Sequence, residues 1–270
     1  MKKIVALLLA ALMLLAFVSC GETAKKTTAP AEEKTAEEKT TAPAEETAEK
    51  EVLVMATNAT FPPYEYYEGE TMVGIDVEIA KALADNLNMT LEIKDVLFDS
   101  IIAGIETGSF TIGMAGMTVT EDRLEKVNFS DPYAKGVQVV IVKEGSEIAS
   151  PDDLEGKKIG VQQGTTGDLY ATDDYGEENV SKFKNGPEAV QALVSGSVDA
   201  VIIDNEPAKS YVAANEGLTI LETSYADEDY AIAIAKGNTE LLEKINTALV
   251  ELTQDGTIAA IVEKYIPSGN

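Results

Sequence analysis

Arg123 is the only arginine among 21 basic residues, in a chain of 270 that carries 47 acidic ones. A guanidinium is a rigid, permanently charged fork that grips a carboxylate through two parallel hydrogen bonds, which a lysine ammonium cannot do. The chain places this one fork at the end of residues 113–123 (GMAGMTVTEDR), a small-residue strand running into a turn. The chemistry on offer is recognition of a carboxylate; a structural ion pair is the plainer alternative. Covalent chemistry has little to work with. There is no histidine, and the single cysteine, Cys20, lies near the N-terminus. The commonest general base, the usual zinc ligands and a thiol nucleophile in the body are therefore missing. No phosphate loop or dinucleotide fingerprint occurs either. No metal and no cofactor are expected. A net charge of -26 argues against nucleic acid and against docking on anionic lipid.

The elements that must position Arg123 alternate in period along the body of the chain. Short apolar runs at 52–57, 90–93, 111–114, 137–142, 158–161, 198–203 and 231–235 read as strands. Helical patterns intervene at 76–83, where Asp76 is the expected cap, and at 100–105, 189–194 and 241–252. Strands alternating with helices predict mixed or parallel sheets covered on both faces. Two such units, joined by strands near 139 and 229, suggest two α/β lobes with two crossovers. Open α/β sheets bind ligands at the carboxyl ends of their strands. Those ends are residues 58–61, 115–118, 162–166 and Asp204, and facing lobes bring them to one cleft. Each has a plainer reading. Asp204 also reads as a helix cap before Asn205, Gly164 to Thr166 as a helix-opening turn, and Phe61 as core.

The N-terminal segment is not part of this body. Lys2 and Lys3 precede an uninterrupted apolar run of fifteen residues, 4–18, followed by Ser19 and Cys20. That is short for a membrane span and fits a secretory signal. Residues 17–20 (FVSC) resemble a bacterial lipoprotein signal, which implies lipid on Cys20. Residues 21–50 repeat a Lys-Thr-Thr-Ala-Pro-Ala-Glu-Glu pattern with nothing apolar to bury, a disordered linker spanning roughly 30 Å. The body is thus expected outside the membrane, held to its outer face or in the periplasm by lipid alone.

Residues 57–64 (TNATFPPY), 74–80 (GIDVEIA), 116–123 (GMTVTEDR), 129–133 (FSDPY) and 163–166 (QGTT) occur in this order over the body. Together they resemble the polar-amino-acid binding proteins of bacterial ABC importers, extracellular solute-binding protein family 3. The resemblance implies a type II periplasmic-binding-protein fold, α/β, with two mixed-sheet lobes and two hinge crossovers. Lobe 1 is expected over 51–138 and 229–270, and lobe 2 over 139–228. It also implies a non-enzymatic receptor, acting as a monomer, that captures a free amino acid for permease subunits. Arg123, with the Thr118 hydroxyl and amide and backbone N–H donors at Thr166, takes the ligand carboxylate, and Thr165 beside them also lines the site. Asp204 and the Gly116 carbonyl take the ammonium, and Ala115 and Met117 complete that strand end. Phe61 and Phe98 wall the side chain, whose polar end Asn58 and Gln162 read.

Several relatives for basic amino acids carry a carboxylate where this chain has Asn58. A polar neutral ligand such as glutamine is therefore expected first and arginine second. An acidic ligand needs a second cation, for which only a lysine such as Lys135 serves. A cyclohexadienyl-dehydratase-like enzyme on the same fold and a sensor input module are the alternatives. Without histidine, nothing unperturbed titrates between roughly pH 5.5 and 8, so affinity is expected to be flat there.

Overall fold

The computed structural model describes residues 50–222 and 224–267. The expected signal segment with Cys20, and the expected linker save its last residue, lie outside the described residues. The body opens with β1 (Val52–Thr57). A small antiparallel sheet follows, β2 (Thr60–Phe61), β3 (Glu65–Glu68) and β4 (Thr71–Val73), with the Pro62–Pro63 bond cis. Next come α1 (Ile75–Asn86), β5 (Thr90–Asp95), a 3-10 turn at Phe98–Ser100, and α2 (Ile101–Glu106). β6 (Ile112–Gly113), α3 (Glu121–Lys126) and β7 (Val127–Phe129) complete the first half.

The second half starts with the longest strand, β8 (Ala134–Lys143), then β9 (Ile159–Gln162), α4 (Thr166–Tyr175) and β10 (Val180–Phe183). α5 (Gly186–Ser195), β11 (Ala200–Asp204), α6 (Asn205–Ala214), β12 (Leu218–Ile220) and β13 (Ala226–Tyr230) follow. β14 (Ala233–Ala235), α7 (Thr239–Gln254) and α8 (Thr257–Tyr265) end the described chain.

These strands form two main sheets. The first runs β5-β1-β6-β14-β7, parallel across β5, β1 and β6 and antiparallel at β14. The second runs β10-β9-β11-β8-β12, with β13 also paired to β8. Every residue of β9 and β11 is buried, as parallel strands between helix layers should be. α7 shows how the covering helices are made. Asn238 caps the amide of Leu241 at 3.3 Å, and Leu241, Ile245, Ala248, Leu249 and Leu252 form one buried stripe.

The chain passes between the sheets twice, from β7 to β8 and from β13 back to β14. The two passages are bonded to each other: the Tyr133 amide donates to the Tyr230 carbonyl at 3.0 Å, and the Ser130 amide to that of Ile232 at 2.9 Å. Residues 134–138, ahead of the expected crossover near 139, already pair with β11 and β13 of the second sheet.

Asp76 is not the cap of α1. Gly74 holds that position with φ 131, and a Cβ there would lie 2.1 Å from the Tyr64 carbonyl oxygen, so only glycine fits. Asp76 is thereby carried into the first turn and turned inward, fully buried.

Candidate ligand-binding site

A narrow cavity opens between the two sheets at the carboxyl ends of their strands. Its walls include Asn58, Phe61, Phe98, Ala115, Gly116, Thr118, Arg123, Gln162, Thr165, Thr166 and Asp204. Of the expected residues, only Met117 is absent from the walls. Its side chain is fully buried in an apolar cluster with Ile101 and Ile105, and its carbonyl accepts from the Ala231 amide at 3.0 Å. Gly116, the residue before it, turns the chain with φ 53. A Cβ on Gly116 would stand 2.8 Å from Phe61 Cε1, so the bare backbone also makes room for that ring.

Arg123 sits in the first turn of α3, which Thr120 caps by accepting from the Arg123 amide at 3.2 Å. Its Nη1 donates to the Thr118 carbonyl at 2.7 Å and its Nη2 to the Gly164 carbonyl at 3.0 Å. The first belongs to the β6 side of the cleft and the second to the loop after β9. The guanidinium carbon lies 5.3 Å from the Phe98 ring centroid, a cation–π distance. Burial pulls the Arg123 pKa down while the charges of Glu228 and Asp204 push it back up. Further bonds cross the cleft. Gln162 Nε2 donates to Asn58 Oδ1 at 3.0 Å, Gln163 Nε2 to Asp99 at 2.7 Å, and the Tyr211 hydroxyl to the Thr60 carbonyl at 2.5 Å.

Asp204 occupies the cap position of α6 but makes no side-chain cap bond. Its carboxylate instead accepts from the Tyr230 hydroxyl, inside the cavity. Burial, and then the charge of Glu228, push the Asp204 carboxyl up; the Tyr230 hydroxyl opposes them. Thr166 opens α4, where unpaired amides and the helix dipole favour an anion. The Thr118 hydroxyl donates to Glu228 Oε2 at 2.9 Å, which Gln138 Nε2 also reaches at 3.1 Å. That hydroxyl proton is thus held by the protein.

A family model described as bacterial extracellular solute-binding proteins, family 3, matches residues 53–268. The chain belongs to that family. A protein of Neisseria gonorrhoeae described as a probable histidine-binding protein is 32% identical, over 98% of this chain and 96% of its own. A solved ancestral arginine-binding protein bound to glutamine is 43% identical, with a TM-score of 0.78, covering 82% of this chain and all of that one. A solved ancestral arginine-binding protein bound to arginine matches at 43% identity and a TM-score of 0.77, over 81% of this chain and 100% of that one. The fold is the type II periplasmic-binding-protein fold, and the chain is an amino-acid-binding solute-binding protein of the ABC-importer kind, not an enzyme. Among the described residues no helix is long and apolar enough to cross a membrane.

Within this family site, sequence reasoning passed over Glu65, Asp76 and Glu228. Glu65 lines the cavity and is buried. Its signal is the hairpin around Pro62: Phe61 and Glu65 are register partners, and residues directly opposite share a face of the sheet. A cleft-facing Phe61 therefore brings Glu65 with it. Asp76 Oδ2 accepts from the Gly116 amide at 2.8 Å and the Tyr133 hydroxyl at 2.7 Å. Burial nonetheless pushes Asp76 up to about 6, and burial followed by the charge of Asp76 pushes Glu65 well above the ordinary carboxylate range. Burial thus raises carboxyls at the site toward the range in which a histidine ordinarily titrates, which bears on the expectation of a flat pH response. Lys135 lines no part of the cavity and pairs at the surface with Asp229, 2.7 Å away.

Proposed function

We propose that this chain captures a free amino acid with a cationic side chain, arginine before other bases, and delivers it to an ABC permease. Glu65 carries this reading. It is a buried carboxyl in the cavity wall with no cation beside it, and it reverses the preference for a neutral ligand that Asn58 alone suggested. A buried carboxylate is stable only when paired and hydrogen-bonded, and a guanidinium from the ligand supplies both. The amide oxygens of Asn58 and Gln162 add acceptors for its remaining N–H groups. The relatives described as binding arginine and histidine agree with such a pocket. The glutamine-bound ancestor favours a second, weaker use of the same site for a neutral amide.

At the other end Arg123 takes the ligand carboxylate with the amides at Thr166. Asp204 and the Gly116 carbonyl take the ammonium, and the rings of Phe61 and Phe98 enclose the aliphatic stem. Closure is hinge bending where the chain passes between the sheets, residues 130–133 and 231–232. These lie a few residues from lobe boundaries at 138 and 228. Delivery takes place outside the membrane, from a monomer tethered through lipid on Cys20 and a linker over 21–50.

A thermal-shift screen of the twenty amino acids tests the ligand class. A ligand at about a hundred times its Kd stabilises the folded state by about 2.7 kcal/mol. Arginine should raise Tm most. A larger shift with glutamine or any other neutral amino acid would reject the cationic reading.

A further inference from the structure

Glu65 and Asp76 are both essentially inaccessible to solvent and lie side by side, the Asp76 amide donating to the carbonyl of Tyr64, the residue before Glu65, at 2.9 Å. Two neighbouring buried carboxylates disfavour each other's ionised form, and one proton between them turns two acceptors into a donor and an acceptor. Glu65 Oε2 and Asp76 Oδ1 are buried with no hydrogen-bond partner, which one proton shared between the two carboxyls would relieve. Asp76 Oδ2 has the Gly116 amide and the Tyr133 hydroxyl as donors, which favour the ionised form on Asp76 and leave the proton on Glu65.

The groups facing the pair offer no substitute for that proton. Asp95 at the end of β5 and Asp204 at the end of β11 add negative charge to Glu65. Tyr64, Tyr133 and Tyr211 face it as neutral phenols, raised by burial and by these carboxylates. Arg123 is held on the Thr118 and Gly164 carbonyls, and Lys264, on α8, is exposed and paired with Glu78.

We infer that Glu65 and Asp76 share a single exchangeable proton, that a cationic ligand side chain displaces it into solvent, and that a neutral side chain leaves it in place. This rests on the reading that a cationic side chain is accommodated beside Glu65. The exchange balances: one positive charge enters as one proton leaves, so the buried charge does not change. It gives one site two ligand classes. Protonated Glu65 is a hydrogen-bond donor to an amide or ureido oxygen; ionised Glu65 is a partner for a guanidinium. The sign of the pH effect follows. The empty site holds the proton more tightly than the arginine-filled site, so arginine affinity rises with pH wherever the empty pair is protonated and the filled pair is not. The slope is at most tenfold per pH unit and flattens above the titration of the empty pair.

Titration calorimetry of the full chain near neutral pH, in buffers of different ionisation heat, counts the protons released. Citrulline is the matched probe, since it carries a ureido group where arginine has its guanidinium. The ammonium and Asp204 are common to both ligands, so any proton that Asp204 loses cancels in the difference. Arginine should release up to one proton more than citrulline, or than glutamine if that binds better, and Glu65→Gln should abolish the excess. Equal proton counts in the unaltered chain overturn the exchange while leaving arginine binding intact. A site that takes arginine but neither neutral ligand also overturns it, because the protonated pair is meant to hold one. If arginine does not bind at all, the cationic reading itself falls and the exchange goes with it.

Discussion

At one end of the cavity Arg123 donates to the backbone carbonyls of Thr118 and Gly164; at the other, Glu65 is buried beside Asp76 and its Oε2 has no hydrogen-bond partner. Both groups are buried, yet they are stabilised by different means. The guanidinium is held by fixed dipoles from both sides of the cleft, and no proton needs to move. The carboxyl pair is held by a proton, which can be exchanged for something else. The first arrangement suits the part of an amino acid that never varies, its carboxylate. The second suits the part that does. The largest expected effect comes from testing the fixed end. Arg123→Lys keeps the charge but cannot span two carbonyls and a ligand carboxylate, so affinity should fall by two decades or more, roughly 3–5 kcal/mol. The loss should be equal for every amino acid bound. Titration calorimetry with arginine and glutamine checks it, and unchanged affinity would remove Arg123 from the site.

Glu65→Gln probes the variable end and should behave differently. Arginine affinity should drop about ten- to hundredfold, in keeping with one charge-assisted hydrogen-bonded contact of roughly 1.5–3 kcal/mol. Glutamine affinity should hold or improve, since the variant keeps a donor where the carboxyl proton was. A loss common to both ligands would make Glu65 a structural residue and erase the contrast between the two ends.

The fixed end was far more legible in the sequence than the variable one. Arg123, Thr166 and Asp204 follow strands whose apolar runs are plain, and ligands of such sheets lie at those strand ends. Glu65 belongs to β3, a four-residue Glu-Tyr-Tyr-Glu strand with no apolar alternation to mark a face. Its burial depends on distant partners: Tyr64 beside it packs edge-on against Tyr230, with ring centroids 5.2 Å apart. Asp76 carried a misleading signal, because an acidic residue ahead of an apolar helical stripe is the usual mark of a cap. Gly74 had taken that position for steric reasons that only the Tyr64 carbonyl reveals. β13 was legible only as a joining strand near 229, without an apolar run to bound it. Its Ala-Asp-Glu-Asp-Tyr sequence is strand only because β8 is long enough to pair with it as well as with β11 and β12.

Gly116 joins the two ends, with its amide on Asp76 and its open face against Phe61. Gly116→Ala imposes φ 53 on a residue that resists it and pushes the Phe61 ring, which stands 2.8 Å from the new Cβ. A stability loss of about 1–3 kcal/mol is expected, measurable by urea denaturation without ligand. Arginine and glutamine should both weaken, because Phe61 walls the stem common to the two. An effect on arginine alone would mean that the strain reaches only the Asp76 bond.

The smallest effect is expected at Lys135, and it bounds what the site can hold. An acidic amino acid brings a second carboxylate into a cavity that already contains Glu65 and Asp204, with Asp76 and Glu228 close behind. One guanidinium cannot balance that charge, so a second cation must reach the cavity from elsewhere. Lys135 was the candidate, but its ammonium is exposed and committed to Asp229, and exposed pairs of this kind contribute little. Lys135→Ala should therefore leave arginine affinity unchanged, and glutamate should fail to bind both the parent chain and the variant. Glutamate binding that disappears with Lys135→Ala would show that the lysine swings into the cleft. The distal end would then recognise either sign of charge, and the carboxyl pair could not be what selects the ligand.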